Sequence, residues 1–357
     1  MKRKVYIDAA TNIPYGSFYI KGLVDMFGKR NVKFKSSLFS DLPLLGRNIR
    51  FIVFDAGKTL KVFIHTNDSY KVDLDQYNWC DIYGSVNANF EAYPREMFPK
   101  QVSLVPSFGI RCFNILETLS LSVTNFFRAI EDIKSSSVYN KFSGEYQINT
   151  YMNVRRHYLN YLKNYIYRLP LESYNNKIEI ERNYIFFLST LWYSDDYNKN
   201  DQGVNLRRAN FIEVCKELDI CVFEGGLASD QSSSEVFRNV KTNIRLSLSE
   251  WISKTKKSVL VFNTPAFWDC HGWKLGEYLA LGKAIISTPL SNDLPAPLIH
   301  GQHIHIIPDS SKESIREAVV LLINNPDYRE NLEKNALNYW NEFGNPEKSL
   351  NLLGLYK

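Results

Sequence analysis

The feature that most constrains this chain is a repeated alternation between short runs of strand-forming apolar residues and longer helical stretches. Val5-Tyr6-Ile7 begins it. A loop with Pro14, Tyr15 and Gly16 follows, then a helical period over 17–27 with Phe18, Ile20, Leu23, Val24 and Phe27 on one side. Ser17 reads as the N-cap and Gly28 as the stop. Further strands are expected at 51–54, 61–64, 81–86 and 102–105. Strand, glycine-containing loop, helix and strand is the rhythm of a parallel α/β sheet.

Residues 112–170 change character, with two long helical stretches at about 112–133 and 151–168. Pro170 and the polar run 172–177 read as a linker. A second α/β rhythm then begins. Its strands are expected at 184–188, 220–223, 258–262, 284–287 and near 303–307, and its helices at 206–218, 273–281 and 312–324. With 357 residues the length favours two domains. The expected division is 1–170, a Rossmann-like domain with a helical insertion, then 171–340, a second Rossmann-like domain, and a tail at 341–357.

Composition sets the outer limits. Apolar residues make up 45% and charged residues 23%, which excludes a disordered, collagen-like or coiled-coil chain. The net charge of +5 is too mild for a nucleic-acid partner, yet it favours an anionic ligand or an acidic membrane surface. No apolar run approaches the length of a membrane span, and Asp8 ends the first apolar stretch too early for a signal peptide. The expectation is a cytoplasmic protein. Cys80, Cys112, Cys215, Cys221 and Cys270 form no C-x2-C pair and read as reduced core residues.

The most informative segment runs from Asp269 to Ser287, Asp-Cys-His-Gly-Trp-Lys-Leu-Gly-Glu-Tyr-Leu-Ala-Leu-Gly-Lys-Ala-Ile-Ile-Ser. It reads as a turn with Gly272 where the backbone approaches something, a two-turn amphipathic helix, a stop at Gly282 and a buried strand. The free N–H groups of such a helix suit a phosphate or a sugar hydroxyl. Asp269 precedes the turn and Glu277 lies on the helix, so both carboxylates can face one pocket. A carboxylate accepts hydroxyl donors and can clamp a vicinal diol such as a ribose. Ordinary capping and the helix dipole alone also explain a Glu on an early turn and Gly at both ends.

Acid-x7-acid, with Gly three positions after the first acid and then Glu-x-x-Ala-x-Gly-x-x-Ile, resembles the donor-site motif of retaining GT-B glycosyltransferases, glycosyltransferase family 4 and relatives. Lys274-Leu275-Gly276-Glu277 also resembles the Lys-Leu-x-Glu version of exostosin-like enzymes. Thr288-Pro289-Leu290, the stretch from Leu298 to Asp309, and Leu321 to Arg329 extend the match, which covers roughly 184–343. The resemblance implies an α/β, GT-B architecture, with two Rossmann-like domains facing each other across a cleft. It implies that Glu277 holds the nucleotide's ribose and Asp269 the donor sugar, with the backbone at Gly272 and Trp273, and Lys274 and Leu275, near the donor. It further implies catalysis without a metal or other cofactor, cations offsetting the leaving diphosphate's charge. Asp in place of the usual Glu at the first acid, and Cys270-His271 in place of Gly-aromatic, depart from the family pattern.

The family places an Arg and a Lys after the first strand of the C-terminal domain. Arg207, Arg208 and Lys199 are the candidates here, with Lys274 a fourth; a solvated helix face accounts equally for any one of them. Gly16 and Ser17 fit an acceptor-side loop or a plain turn with an N-cap. His65 and Asp68 follow a strand and fit an acceptor-site or acid/base role, against a structural histidine. The run 55–59 ends like a phosphate-binding loop but lacks its first glycine, and no G-x-G-x-x-G follows the first strand, which argues against a dehydrogenase. His300, His303 and His305 suggest a metal only weakly, although 303 and 305 share a strand face. The basic, aromatic stretch 151–168 suits either a membrane surface or a helix with one solvated face.

The expected activity is transfer of a sugar, of the hexosyl type, from a UDP- or GDP-sugar to a hydroxyl of a glycan or lipid-linked glycan in capsular or O-antigen-type polysaccharide assembly. Peripheral contact with the inner face of the membrane goes with it. The competing readings are a non-catalytic sugar- or nucleotide-binding protein of the same fold, and a sugar-nucleotide epimerase.

Overall fold

A computed structural model describes residues 3–39, 42–43, 45–135, 159–175, 178–191, 202–229 and 235–355. The chain divides into two compact units. Met1–Leu171, Asp293–Pro295 and Phe343–Lys357 form the first; Glu172–Asn292 and Ala296–Glu342 form the second.

Unit 1 is built on a sheet of order β2-β1-β3-β4-β5-β6, comprising β1 (Lys4–Ile7), β2 (Val32–Phe34), β3 (Ile49–Asp55), β4 (Lys58–His65), β5 (Ile82–Ser85) and β6 (Gln101–Ser103). The pairs β1–β2, β4–β5 and β5–β6 are parallel, but β3 runs antiparallel to both neighbours. The expectation of a purely parallel sheet is corrected here. The cause lies in the run 55–59: Ala56 and Gly57 have φ of 47° and 86°, and they join Asp55 to Lys58 as a two-residue hairpin. A turn with both central residues left-handed matches the twist of an antiparallel pair.

Helix α1 spans Ile13–Phe27 with Asn12 at its N-cap and a proline in its first turn, so it begins four residues before the expected start. Gly28 stops it in the left-handed region at φ 78°. Gly22 on α1 faces the later helix Pro346–Leu352, where an added Cβ would stand 2.6 Å from the carbonyl oxygen of Pro346. Residues expected as a tail therefore form a helix that packs closely on α1. Also in unit 1 are α2 (Leu74–Trp79), α3 (Ile115–Ser135) and a helical segment at 159–167. In that segment Asn160, Tyr161 and Asn164 are buried, while 151–158 lie outside the described residues.

Unit 2 carries two parallel three-stranded sheets. One joins β7 (Tyr184–Thr190), β8 (Val222–Ala228) and β9 (Lys241–Thr242); the other joins β10 (Val261–Asn263), β11 (Ile285–Ser287) and β12 (His305–Ile306). They adjoin along β7 and β10. Val259 N–H donates to Tyr184 O at 2.7 Å, and further along both strands the rings of Phe187 and Phe262 meet at 6.1 Å. From this seam the chain runs outward in one direction through β8 and β9, and in the other through β11 and β12. The seam is a topological switch point, the place where open α/β sheets take ligands beyond the carboxyl ends of their strands.

The helices of unit 2 are α4 (Glu172–Asn175), α5 (Gln202–Glu217), α6 (Leu248–Lys257), α7 (Trp273–Ala280), α8 (Lys312–Asn324) and α9 (Pro326–Tyr339), and Pro346–Leu352 of unit 1 is α10. Phe211 and Phe262 stack at 4.4 Å in a core that also takes in Ile185, Ile212, Ile286 and Leu322. The α/β expectation holds in both units. From 184 to 324 each expected strand and helix has a counterpart, although β8 runs five residues beyond the expected 220–223; β9 and α6, which carries a Ser247–Glu250 capping box, have no counterpart among the expected elements.

Candidate functional site

Three side chains of the expected donor site converge at the switch point of unit 2. Lys274, on the first turn of α7, donates from Nζ to the carbonyl of Leu188 at 2.7 Å, at the carboxyl-terminal end of β7. Its ammonium also lies 4.9 Å from the centre of the Phe187 ring. Arg208, on α5, donates to the carbonyl of Thr190 at 3.0 Å and to Thr264 Oγ1 at 3.4 Å, so it spans the ends of β7 and β10. One turn along α7 from Lys274, the Glu277 carboxylate is buried and accepts a hydrogen bond from Tyr174 Oη at 3.2 Å. The spacing of three residues on a helix puts Lys274 and Glu277 on one face.

These groups set one another's charge. The Lys274 pKa is lowered to about 7, first by burial and then by the Arg208 charge, with Glu277 pulling the other way. Near neutrality the side chain therefore divides between ammonium and neutral amine, and any anion brought beside it favours the charged form. Arg208 stays cationic at every relevant pH.

The loop before α7 is strained. Trp268 and Asp269 have φ of 48° and 55°, consecutive left-handed residues of which neither is glycine. Strain of this kind costs about 1–3 kcal/mol per residue and gathers at functional sites. Asn292 braces the loop, donating from Nδ2 to the carbonyl of Asp269 at 3.2 Å and pairing through its own carbonyl with His271 Nε2 at 3.1 Å. The Asp269 side chain is exposed and faces Arg207 Nη1 at 3.6 Å. Gly272 caps α7 in an extended conformation, and a Cβ there would meet only Ala266 Cβ at 3.7 Å, an ordinary contact. Among the described residues no neighbour requires glycine at 272.

Several sequence expectations need correction. Leu275 is fully buried in the core of unit 2 and has no surface to offer a donor. Gly16 and Ser17 do not form a loop: both lie inside α1, where a Cβ on Gly16 would sit 2.4 Å from Thr11 Cγ2 and the buried Ser17 hydroxyl accepts from Ile110 N–H at 3.1 Å. Pro14 lies in the first turn of the helix, where its missing N–H costs nothing, rather than in a loop before it. The polar run 172–177 is not wholly linker, since α4 occupies 172–175 and buries Tyr174. Tyr174 was missed for that reason. Lys199 lies outside the described residues.

His65 ends β4 in unit 1, buried and stacked on Phe63, and burial lowers its pKa to about 4. Asp68 faces Arg47 at 3.4 Å, yet desolvation outweighs that cation and raises its pKa. His300, His303 and His305 do not converge as ligands. His300 and His303 use Nδ1 to accept the backbone N–H groups of Ile306 and Ile299, and His305 Nδ1 pairs with Tyr328 Oη. His303 lies in the turn before β12, so it shares no strand face with His305. Among the described residues no group of three His, Cys, Asp or Glu side chains is placed to hold a metal ion, and no helix is long and apolar enough to cross a membrane.

No protein-family model matches the sequence, and no curated protein matches it. Solved structures do resemble it at low similarity. A glycosyltransferase from Rickettsia africae is 11% identical, covering 90% of this chain and 68% of that one, with a TM-score of 0.42. A putative UDP-N-acetylglucosamine 2-epimerase from Listeria monocytogenes is 11% identical over 82% and 72%, with a TM-score of 0.36. The C-terminal domain of a glycosyl transferase group 1 family protein from Francisella tularensis is 12% identical over 48% and 90%, with a TM-score of 0.35.

Proposed function

We propose that this chain is a GT-B glycosyltransferase of the retaining, metal-independent kind. It moves a hexosyl group from a nucleoside diphosphate sugar to a hydroxyl of a glycan or lipid-linked glycan, in cytoplasmic assembly of a capsular or O-antigen-type polysaccharide. Unit 2 takes the donor and unit 1 the acceptor. The observation that carries this reading is the meeting of Lys274, Arg208 and Glu277 at the carboxyl ends of β7 and β10.

Each group has a role that follows from its chemistry. Glu277 accepts the two ribose hydroxyls, held in orientation by Tyr174. Lys274 and Arg208 offset the charge that grows on the departing diphosphate, in a buried setting where such interactions are stronger than in water. Lys274 already sits at the first turn of α7, whose free N–H groups add to the same effect. Asp269, exposed on a strained loop beside Arg207, takes the sugar hydroxyls. His65 and Asp68 are the unit 1 groups to test for an acid/base part; burial keeps the His65 imidazole uncharged at neutral pH.

The test is to follow UDP- and GDP-sugars by NMR with the protein, alone and with a panel of glycan acceptors. Transfer, or slow donor hydrolysis lost in Glu277→Ala, supports the proposal. Isomerisation of the donor sugar without acceptor moves the assignment to an epimerase, and tight donor binding with no turnover moves it to a binding protein.

A further inference from the structure

Unit 2 holds a second cavity, at the other end of its strands from the Lys274–Arg208 cluster. Ile180 precedes β7, Lys256 lies at the end of α6 just before β10, and Lys283 stands just before β11. All three line a cavity of about 650 Å³, which therefore sits at the amino ends of these parallel strands. Helix α9 forms another wall with Glu330, Glu333, Lys334 and Leu337. The volume is in the range of small-molecule sites.

Two of the lining lysines are buried, Lys283 with 2% of its surface exposed and Lys256 with 7%. Lysine is almost never buried so fully unless its charge is compensated. Lys283 Nζ donates to the carbonyl of Lys256 at 3.0 Å, and Lys256 Nζ to the carbonyl of Ser173 at 2.7 Å. Neutral carbonyls orient these ammonium groups without neutralising them. Burial lowers the Lys283 pKa to about 8, with Glu333 pulling it up and Arg329 pushing it down. At pH 7 the group is still mainly an ammonium.

The α9 wall carries an acceptor that lacks a donor. Glu333 Oε1 is buried and accepts no hydrogen bond among the described residues. Its approach to Arg329 Nε, at 3.9 Å, is too long for one. A buried acceptor is costly to leave unpaired, and a ligand hydroxyl brought to it removes that cost. These charges tell the two ends of a ligand apart. A phosphate monoester carries nearly two negative charges at neutral pH, which two ammonium groups match. The Glu333 carboxylate repels such a group and accepts hydroxyls instead. Inorganic phosphate alone would leave most of the volume unfilled, whereas a hexose ring can lay its C–H face against Ile180 and Leu337.

We propose that this cavity is a second ligand site of unit 2, one that takes a sugar phosphate, with the phosphate on Lys256 and Lys283 and sugar hydroxyls on Glu333. The site is separate from the nucleotide site proposed at the carboxyl ends of β7 and β10 and does not rest on it. Tyr174 borders both, lining this cavity while its hydroxyl meets Glu277.

The test is calorimetry of the full chain with glucose 1-phosphate, glucose 6-phosphate, inorganic phosphate and glucose. At least one of the two sugar phosphates is expected to bind, with inorganic phosphate and glucose each at least about tenfold weaker. Lys283→Met keeps the length of the side chain without its charge and should lower the affinity at least about tenfold. Glu333→Gln should lower it several-fold while leaving inorganic phosphate bound no more weakly. Melting temperatures are measured alongside, and if Lys283→Met does not fold, the nearly isosteric Glu333→Gln carries the test. Lys274→Met, in the other cluster, should bind the sugar phosphate as the parent does. Four results overturn the proposal: no binding of either sugar phosphate, inorganic phosphate binding as tightly, affinity unchanged in the variants at 283 and 333, or binding lost in Lys274→Met.

Discussion

Tyr174 donates its phenolic hydrogen to Glu277 Oε1 at 3.2 Å, which ties the first helical turn of unit 2 to the carboxylate at the centre of the proposed donor site. Tyr174 is buried, so the bond is shielded from water. Tyr174→Phe keeps the ring and removes the hydroxyl. It should cost about 1 kcal/mol of stability and weaken nucleotide binding several-fold, read by calorimetry. Unchanged affinity would mean that Tyr174 only packs and does not orient Glu277.

Lys274 makes binding proton-linked. With its pKa lowered to about 7 in the free protein, a diphosphate brought beside it restores the ammonium. Nucleotide binding at about pH 8 should therefore take up a proton, and affinity should fall as pH rises above 7. Calorimetry in two buffers of different ionisation enthalpy measures the uptake directly. Lys274→Met should abolish it, and zero uptake in the parent protein would remove Lys274 from the diphosphate site.

His65 should shape the acid limb of stability. Its pKa is about 4 in the folded protein against 6.5 unfolded, so between these values the unfolded chain binds more protons. Its full contribution is present above about pH 6.5 and is lost as pH falls through 4, a change of about 3 kcal/mol. Urea unfolding of His65→Gln should show an acid limb flatter by that order. Parallel limbs in the two proteins would place the His65 ring in contact with water.

Gly16 separates a helical position from an acceptor loop. Gly16→Ala puts a methyl group against Thr11 Cγ2 inside α1 and should cost about 1–3 kcal/mol, with nucleotide affinity unchanged. A stable variant with altered acceptor use would restore the loop assignment.

Much of unit 2 was legible because its elements are signalled by local rules. The strands are continuous apolar runs such as Tyr184–Leu188, and α8 begins at a Ser311 cap and ends on an asparagine. What escaped depends on long-range contacts. The antiparallel β3 turns on two positive φ values in Ala56-Gly57, and a non-glycine residue such as Ala56 gives no local signal for that conformation. Tyr174 lay in a polar stretch, and nothing local says that it reaches a carboxylate a hundred residues on. On α3, Thr118, Ser122 and Asn125 are buried while Leu116 and Phe127 are exposed, and a helical period in sequence shows that two faces differ and not which one is inside. Among the site residues, Lys274 and Glu277 were found by motif and spacing, whereas the bond from Arg208 to the ends of β7 and β10 could come only from the folded chain.

The measurement that bears most directly on donor binding in unit 2 is the affinity of the parent protein and of Glu277→Ala for UDP and GDP by calorimetry, with and without EDTA. The account predicts that one nucleotide binds, that EDTA leaves its affinity unchanged, and that Glu277→Ala weakens it by at least about tenfold, the loss of hydrogen bonds to a buried charge. If neither nucleotide binds, or Glu277→Ala binds as tightly as the parent, the Lys274–Arg208–Glu277 cluster is not a nucleotide site.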